Sequence, residues 1–275
     1  MWTRALLKEN AKIAFKRNYW TCVIAAVILM LVGGGASGTQ GTTLNFNFGG
    51  SSAAVGGADA NLNLTGEILI WASVLLVILA IAALFVIAFS IFVTNVIMIG
   101  GKRYFMENRE HKTSVGQVFY GFQGGNYLSC VKTMFFKDLY LFGWTLLFVI
   151  PGIIKSYSYQ LVPYILAENP TLSKDRAIEL SCQMMDGHKF ESFILGWSFI
   201  GWDFLNALTV GILGIFYVNP YKHATYAEFY TAIKAEAFNR GITDHVELPG
   251  VSNKVFQEEV PEAVTGTVED IFAED

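Results

Sequence analysis

Apolar residues fall in runs along this chain that are too long for an ordinary water-soluble helix. From Ile68 to Gly101 there are 34 consecutive residues without Asp, Glu, Lys or Arg, most of them Ile, Leu, Val, Ala or Phe. About 20 such residues are enough to cross a bilayer. As a continuous helix, Ile68–Ile99 is about 48 Å long against a hydrocarbon core of about 30 Å, so it tilts or projects before ending in Gly100-Gly101-Lys102-Arg103. An earlier apolar run, Tyr19–Val32, leads into Gly33-Gly34-Gly35-Ala36-Ser37. A basic start, an apolar run and small residues also describe a secretory signal peptide. The basic region here has its own helical pattern, however, which favours a retained span. Arg4, Lys8, Lys12 and Lys16 recur every four residues and form one helical stripe. Residues 1–18 therefore read as a basic amphipathic helix lying on anionic lipid.

Further along, the apolar pattern is interrupted. Leu139–Ile154 holds 16 uncharged residues before Lys155, with Pro151-Gly152 just ahead of that lysine. Ser156–Ala167 is uncharged as well and ends at Glu168-Asn169-Pro170. Either Pro151 kinks one long helix, or Pro151-Gly152 opens a tight hairpin between two spans. The layout recurs about 58 residues later. Gly143-Trp144, Gly152-Ile153 and Pro163-Tyr164 are echoed by Gly201-Trp202, Gly211-Ile212 and Pro220-Tyr221. Between the copies, Ser173 is a good N-cap, Asp175 falls in the first turn and Gly187 can end the helix. Ala177, Leu180, Ser181 and Met184 share one face of it, suited to the inner membrane interface. Ser114-Val115-Gly116-Gln117 fits a capping box that starts another short helix on the membrane.

Charge sets the orientation. The segment 38–66 is rich in Gly, Ser, Thr and Asn and has no Lys or Arg, whereas five Lys/Arg precede the first span. Positive residues are retained on the cytoplasmic side, which puts the N-terminus inside and this loop outside. Lys102, Arg103, Arg109, Lys112 and Lys132 then mark a cytoplasmic connector, and a hairpin at Pro151-Gly152 puts Lys174, Arg176 and Lys189 inside, whereas one long span would place them outside. The expected fold is an all-α integral membrane protein with about six transmembrane helices, two of the pairs being repeated tight hairpins, plus interfacial amphipathic helices. Both termini then face the cytoplasm.

Composition agrees: 53% of residues are hydrophobic, only 15% are charged, and the mean hydropathy is +0.43. The formal charge of −4 is carried by the end of the chain, where 241–275 has nine acids against Lys254 alone. The domain organisation expected is therefore the basic helix 1–18, a membrane domain 19–240, and an acidic, disordered cytoplasmic tail 241–275 available to a protein partner. Three scattered cysteines, Cys22, Cys130 and Cys182, suggest neither a disulfide framework nor a zinc site.

Val149–Tyr230 resembles the bacterial membrane family known as domain of unknown function 975. The resemblance is carried by Ile150-Pro151-Gly152-Ile153-Ile154-Lys155-Ser156-Tyr157-Ser158-Tyr159, by Pro163-Tyr164-Ile165-Leu166-Ala167-Glu168-Asn169-Pro170, and by Ser198-Phe199-Ile200-Gly201-Trp202 with the Pro220-Tyr221 ending. It implies a multi-span protein of the bacterial cytoplasmic membrane and no activity. Asp203 and the glycine-rich loop depart from the family pattern, so no role is carried onto them.

Catalytic chemistry has little to stand on. Gly196-Trp197-Ser198 superficially resembles a serine-protease span, but no histidine is placed to activate Ser198, and His111, His188, His223 and His245 fall outside the spans or at their ends. Phosphate-binding glycine loops and metal-binding helix motifs are missing from the sequence, and no catalytic, cofactor or metal residues are expected. The tyrosines from Tyr157 to Tyr230 read as interfacial belts.

The candidate polar site is Asp203, Lys155 and Asn206. Lys137-Asp138 and Lys155 lie close enough to span ends to reach headgroups. Asp203 is eight residues before the turn glycine, about 12 Å along a helix, and its stem is too short to snorkel. Asn206 shares its face, and Lys155 is the nearest basic partner expected. Two functional classes remain. One is a non-catalytic binding or scaffold protein for a partner, peptide or lipid in the envelope. The alternative is a transporter or permease component, since transporters are often built from repeated, broken helices. The thin polar content at membrane depth favours the first. Nucleic acid is not an expected partner.

Overall fold

The computed structural model describes residues 2–33, 66–123 and 125–251. The described residues form eleven α-helices joined by a 3-10 helix and two π-helical turns. The N-terminal helix α1 (Arg4–Arg17) is capped by Thr3, whose hydroxyl accepts from the Leu6 amide at 3.3 Å. At Asn18 the chain bends by 103° into α2 (Tyr19–Gly33). Asn18 holds that corner by donating to Asn108 Oδ1 and to the Thr113 carbonyl. The exposed face of α1 carries Arg4, Lys12 and Lys16 together with Leu6 and Ile13, as an interfacial helix requires. Its other face, Leu7, Ala11, Ala14 and Phe15, is buried in the body.

The long apolar helix runs as α3 (Gly66–Phe89), a π-helical turn (Ser90–Thr94) and α4 (Asn95–Glu107). Among the described residues, Trp71–Glu107 is one helix long and apolar enough to cross a membrane, and the bent pair α1–α2 passes the same test only when taken together. The two halves of this helix differ sharply. Every residue from Trp71 to Phe89 is exposed, a stretch of about 28 Å at 1.5 Å per residue. A helix apolar all round is ordinarily buried in a large core or set in lipid, and this half is not buried within the described residues. α4, by contrast, is buried almost throughout.

Gly100-Gly101 does not end this helix. A Cβ on Gly100 would lie 1.9 Å from the Val118 carbonyl oxygen, and one on Gly101 would lie 2.5 Å from Leu29. The pair lets the 3-10 helix Val115–Phe122 and α2 pack directly on α4. Two sequence expectations change here. Lys102 and Arg103 lie in a buried helix, not in an aqueous connector, and the short helix after Ser114 packs on α4, not on the membrane.

The remaining helices form two hairpins and their bases. α5 (Tyr127–Leu147) and α6 (Val149–Ser158) reverse at the single extended residue Phe148. α7 (Val162–Glu168) and α8 (Lys174–Met184) then enter the core. α9 (Lys189–Trp197) leads into α10 (Ile200–Leu208), the first arm of the second hairpin. A π-helical turn (Gly214–Val218) and α11 (Asn219–Asn239) form the other. The chain thus reverses in two helical hairpins, the first at Phe148, three residues before the Pro151-Gly152 turn expected. Of the about six crossing helices expected from the charge pattern, the described residues show one long and apolar enough by itself, or two if the bent α1–α2 pair counts as one span. Ser173 caps α8 as expected, accepting from the Arg176 amide at 3.3 Å. Its apolar face packs on α5 and α7, not on the interface.

The tyrosine belt is also overturned. Tyr159, Tyr164, Tyr221, Tyr226 and Tyr230 are buried, and Tyr164 stacks on Tyr230 with centroids 5.1 Å apart. The boundary at Gly241 moves as well. Ile242–Val251 packs against the body and buries Leu248 and Val251. The expected outer loop, apart from Gly66, and the acidic tail beyond Val251 lie outside the described residues.

Candidate functional site

Asp203 sits in the first turn of α10, and its carboxylate accepts from Lys222 Nζ of α11 at 2.5 Å. The Lys222 side chain is 6% exposed and that of Asp203 46%. The lysine is thus the buried member, and the aspartate reaches in from the rim. Lys222 Nζ lies 5.7 Å from the Phe199 ring centroid and Lys8 Nζ 4.6 Å from it. Lys8 also donates to the Ser198 carbonyl at 3.4 Å, and the Tyr221 hydroxyl donates to the Lys8 carbonyl at 3.4 Å. Burial of its stem, with Lys12 and Arg4 nearby, pulls the Lys8 ammonium below its ordinary value. Two cations and one acid therefore gather around Phe199 at the base of the second hairpin.

Lys155 is not part of this cluster. Its Nζ lies over Trp144 at 5.3 Å and Tyr159 at 5.9 Å, within the first hairpin. The expected Asp203–Lys155 pair is replaced by Asp203–Lys222, because the π-helical turn Gly214–Val218 packs on α10 and leads straight into the first turn of α11, which carries Lys222. Asn206 does not extend a polar seam from Asp203 either. Its Oδ1 accepts from the Gly214 amide at 2.6 Å and its carbonyl from the Gly211 amide at 2.9 Å, so it closes the turn. Ser198 Oγ donates to the Leu195 carbonyl of its own helix at 2.5 Å.

The larger polar constellation went unread in the sequence. Arg103 pairs with Glu107 at 2.9 Å, donates to the Ala167 carbonyl at 2.7 Å, and has its guanidinium 3.9 Å from the Tyr120 ring centroid. Arg109 pairs with Glu228 at 2.8 Å, and Lys234 with Glu168 at 2.6 Å. Lys137 and Asp138, singled out in the sequence and expected at the headgroups, pair at 2.9 Å with the lysine buried, and Asn95 donates to Asp138 at 3.1 Å. His223 stacks on Phe105 at 5.2 Å, and burial, with Lys102 and Lys222 adding to it, holds the imidazole far below its ordinary pKa and so neutral. The spacing of Arg103 and Glu107, four apart on one helix, was the available signal.

A cavity of about 140 Å³ opens beside these pairs, lined by Met106, Arg109, Glu168, Lys234, Gly250 and Val251. Ligand sites for small molecules generally run to about 300–1,000 Å³, so this one suits a few waters. Among the described residues, no three His, Cys, Asp or Glu side chains converge as metal ligands. The three cysteines are free.

No curated protein matches the chain, and no solved structure matches it. Residues 131–237, from within α5 almost to the end of α11, match the family described as "Protein of unknown function (DUF975)", so the resemblance read from the Ile150–Tyr159 run is a family match over that segment.

Proposed function

We propose that this chain is a non-catalytic binding or scaffold protein of the bacterial cytoplasmic membrane, with its helical body and both termini on the cytoplasmic side. α2 and α3 are the crossing segments in this reading, with α1 lying at the interface, an even number that returns the chain to the side on which it started. The Lys/Arg of α1 and of the body supply the positive-inside bias. The observation that carries the scaffold reading is how the interior charges are used: Arg103–Glu107, Arg109–Glu228, Lys234–Glu168 and Lys222–Asp203 neutralise one another. A solute path needs polar groups left open to a passing ligand, usually at a midplane site between repeats. The partner classes are anionic lipid along Arg4, Lys12 and Lys16, and a protein or peptide at the cytoplasmic body or acidic tail.

The experiment is purification from native membranes with and without residues 252–275, followed by identification of what co-purifies, together with solute flux in liposomes. A specific companion and no flux support the scaffold. The repeated hairpins with interrupted arms favour the alternative of a transporter component, and flux through the purified chain would establish it.

A further inference from the structure

We infer that the two hairpins are re-entrant wedges whose tips end in the hydrocarbon of one leaflet and do not cross to the opposite face. This rests on the membrane reading above and makes it more specific.

Length comes first. The first hairpin has 16 uncharged residues between Asp138 and Lys155, and the second has 18 between Asp203 and Lys222. Two full crossings need roughly 40. From Asp138 to Phe148, or from Asp203 to Val210, a helical arm rises only about 10–15 Å, the thickness of half a hydrocarbon core. The charges that bound each cap are held in pairs or against rings at its base: Asp138 with Lys137, Asp203 with Lys222, Lys155 over Trp144.

The tips decide between lipid and water. A hairpin that crossed would turn among headgroups, where Gly, Asn, Asp and Ser are the usual turn residues. Here the first turn is Leu146-Leu147-Phe148-Val149-Ile150, with Leu146 77% and Ile150 73% exposed. The second turns at Val210, which is 91% exposed.

Immersion also requires that the turn's own backbone be satisfied internally. The Phe148 amide donates to the Trp144 carbonyl at 3.0 Å, and the Gly152 amide to the Phe148 carbonyl at 3.1 Å. In the second tip the Val210 and Gly211 amides donate to the Ala207 and Asn206 carbonyls. The Leu213 and Gly214 amides donate to Thr209 Oγ1 and Asn206 Oδ1. The few polar side chains near this tip are thus engaged by its backbone. Lipid hydrocarbon is the occupant that fits an apolar projection one leaflet tall, closed on its own backbone at the second tip, with charge only at its base.

The test uses full-length protein in sealed vesicles of both orientations, with Phe148→Cys, Ile150→Cys and Val210→Cys made singly and exposed Lys112→Cys as the body control. The native cysteines are read as background in the unsubstituted chain. A membrane-impermeant maleimide is expected to label Lys112→Cys from one side and the tip variants from neither. A permeant fluorophore attached at a tip should lose most of its emission to lipids carrying quenchers along their acyl chains. Labelling of a tip from the face opposite Lys112→Cys would show a full crossing and overturn the inference. Protection without lipid quenching would mean that a second copy or another protein covers the tip, and would overturn it equally. Release of the unsubstituted chain by alkaline carbonate would instead defeat the membrane reading itself, a result separable from either.

Discussion

The two hairpins share a plan and differ in how each is closed and fastened. In the first, Phe148 alone makes the turn, and Gly152 packs its bare Cα where a Cβ would lie 2.7 Å from Thr145 Oγ1. In the second, Val210 (φ 52°) and Gly211 (φ 86°) turn the chain through left-handed backbone, and the close approach moves to Gly214 against Asn206. Gly152 therefore corresponds structurally to Gly214, although the sequence repeat aligns it with Gly211. The bases differ too. The elements following the first hairpin are tied down by the C-terminal segment: Glu247 pairs with Arg176 at 2.6 Å, the Glu247 carbonyl accepts from Asn169 at 3.1 Å, and the Gly250 amide donates to Glu168 at 3.2 Å. The second hairpin is tied by the N-terminal helix, through Lys8 and Tyr221, and by its own Asp203–Lys222 pair. One architecture thus rests on clasps from opposite ends of the chain, so the hairpins can be loosened separately.

Removing the chain after Gly241 should give the largest separation. It strips buried Leu248 and Val251 and the Arg176–Glu247 pair, a loss of about 3–5 kcal/mol. Thermal unfolding in detergent measures it, and amide exchange should rise in α7 and α8 while α9 and α10 stay protected. Equal loosening of both would break the comparison. Truncation after Val251 keeps every one of these contacts and is the control.

Asp203→Asn should come next. It leaves the buried Lys222 ammonium without its anion, and because the carboxylate is nearly half exposed the cost is reduced to about 1–3 kcal/mol. Adding Lys222→Met to Asp203→Leu should recover most of the loss. Lys155→Met removes only ring contacts and should cost less than about 1 kcal/mol. A larger effect at Lys155 than at Asp203 would reverse the assignment of the ion pair.

Glycine substitutions sharpen the turn comparison. Gly152→Ala forces the two arms apart at Thr145 and should cost about 1–3 kcal/mol. Gly211→Ala strains a left-handed residue by about 1–2 kcal/mol. A Cβ on Gly143 or Gly201 meets nothing within 4 Å, so alanine there should be neutral or slightly stabilising. Melting temperatures of the four variants rank them.

The smallest effect is that of acid on the C-terminal clasp. Hydrogen bonding from Arg176, partly opposed by burial, holds the Glu247 carboxyl below the usual carboxylate range. A lowered folded pKa means that the stabilisation is fully present above the unfolded value, near 4.3, and is lost as pH falls through the folded one. Protease sensitivity of 242–251 should therefore rise on acidification below about pH 4, and Glu247→Gln should remove that pH dependence.

How much of this was legible in the sequence follows from which interactions are local. Helical content, the Thr3–Arg17 helix face, the Ser173 cap and the existence of paired hairpins follow from periodicity, caps and turn residues close together in the chain. Buried charge does not. Lys102 and Arg103 read as a water-facing connector because their partners, Tyr164, Ala167 and Val251, lie 62 or more positions away. Gly100-Gly101 read as a helix end because glycine marks both a break and a close approach, and only Val118 and Leu29 reveal which. Asp203, expected at depth with Lys155, lies nearly half exposed at the rim and pairs with Lys222. Its choice of Lys222 over Lys155 depended on a hairpin register that the repeat pattern placed on the wrong glycine.

The clasps also order events in time. Helix α1 leaves the ribosome first, yet its principal packing partner is α11, one of the last helices made. The segment that fastens α7 and α8 comes later still. Until Leu248 and Val251 have emerged, Arg176 has no Glu247 to bind and the cavity beside Glu168 has no cover from Gly250 and Val251. A nascent chain stalled near residue 240 would therefore have both hairpins made while the charged core between them is still open.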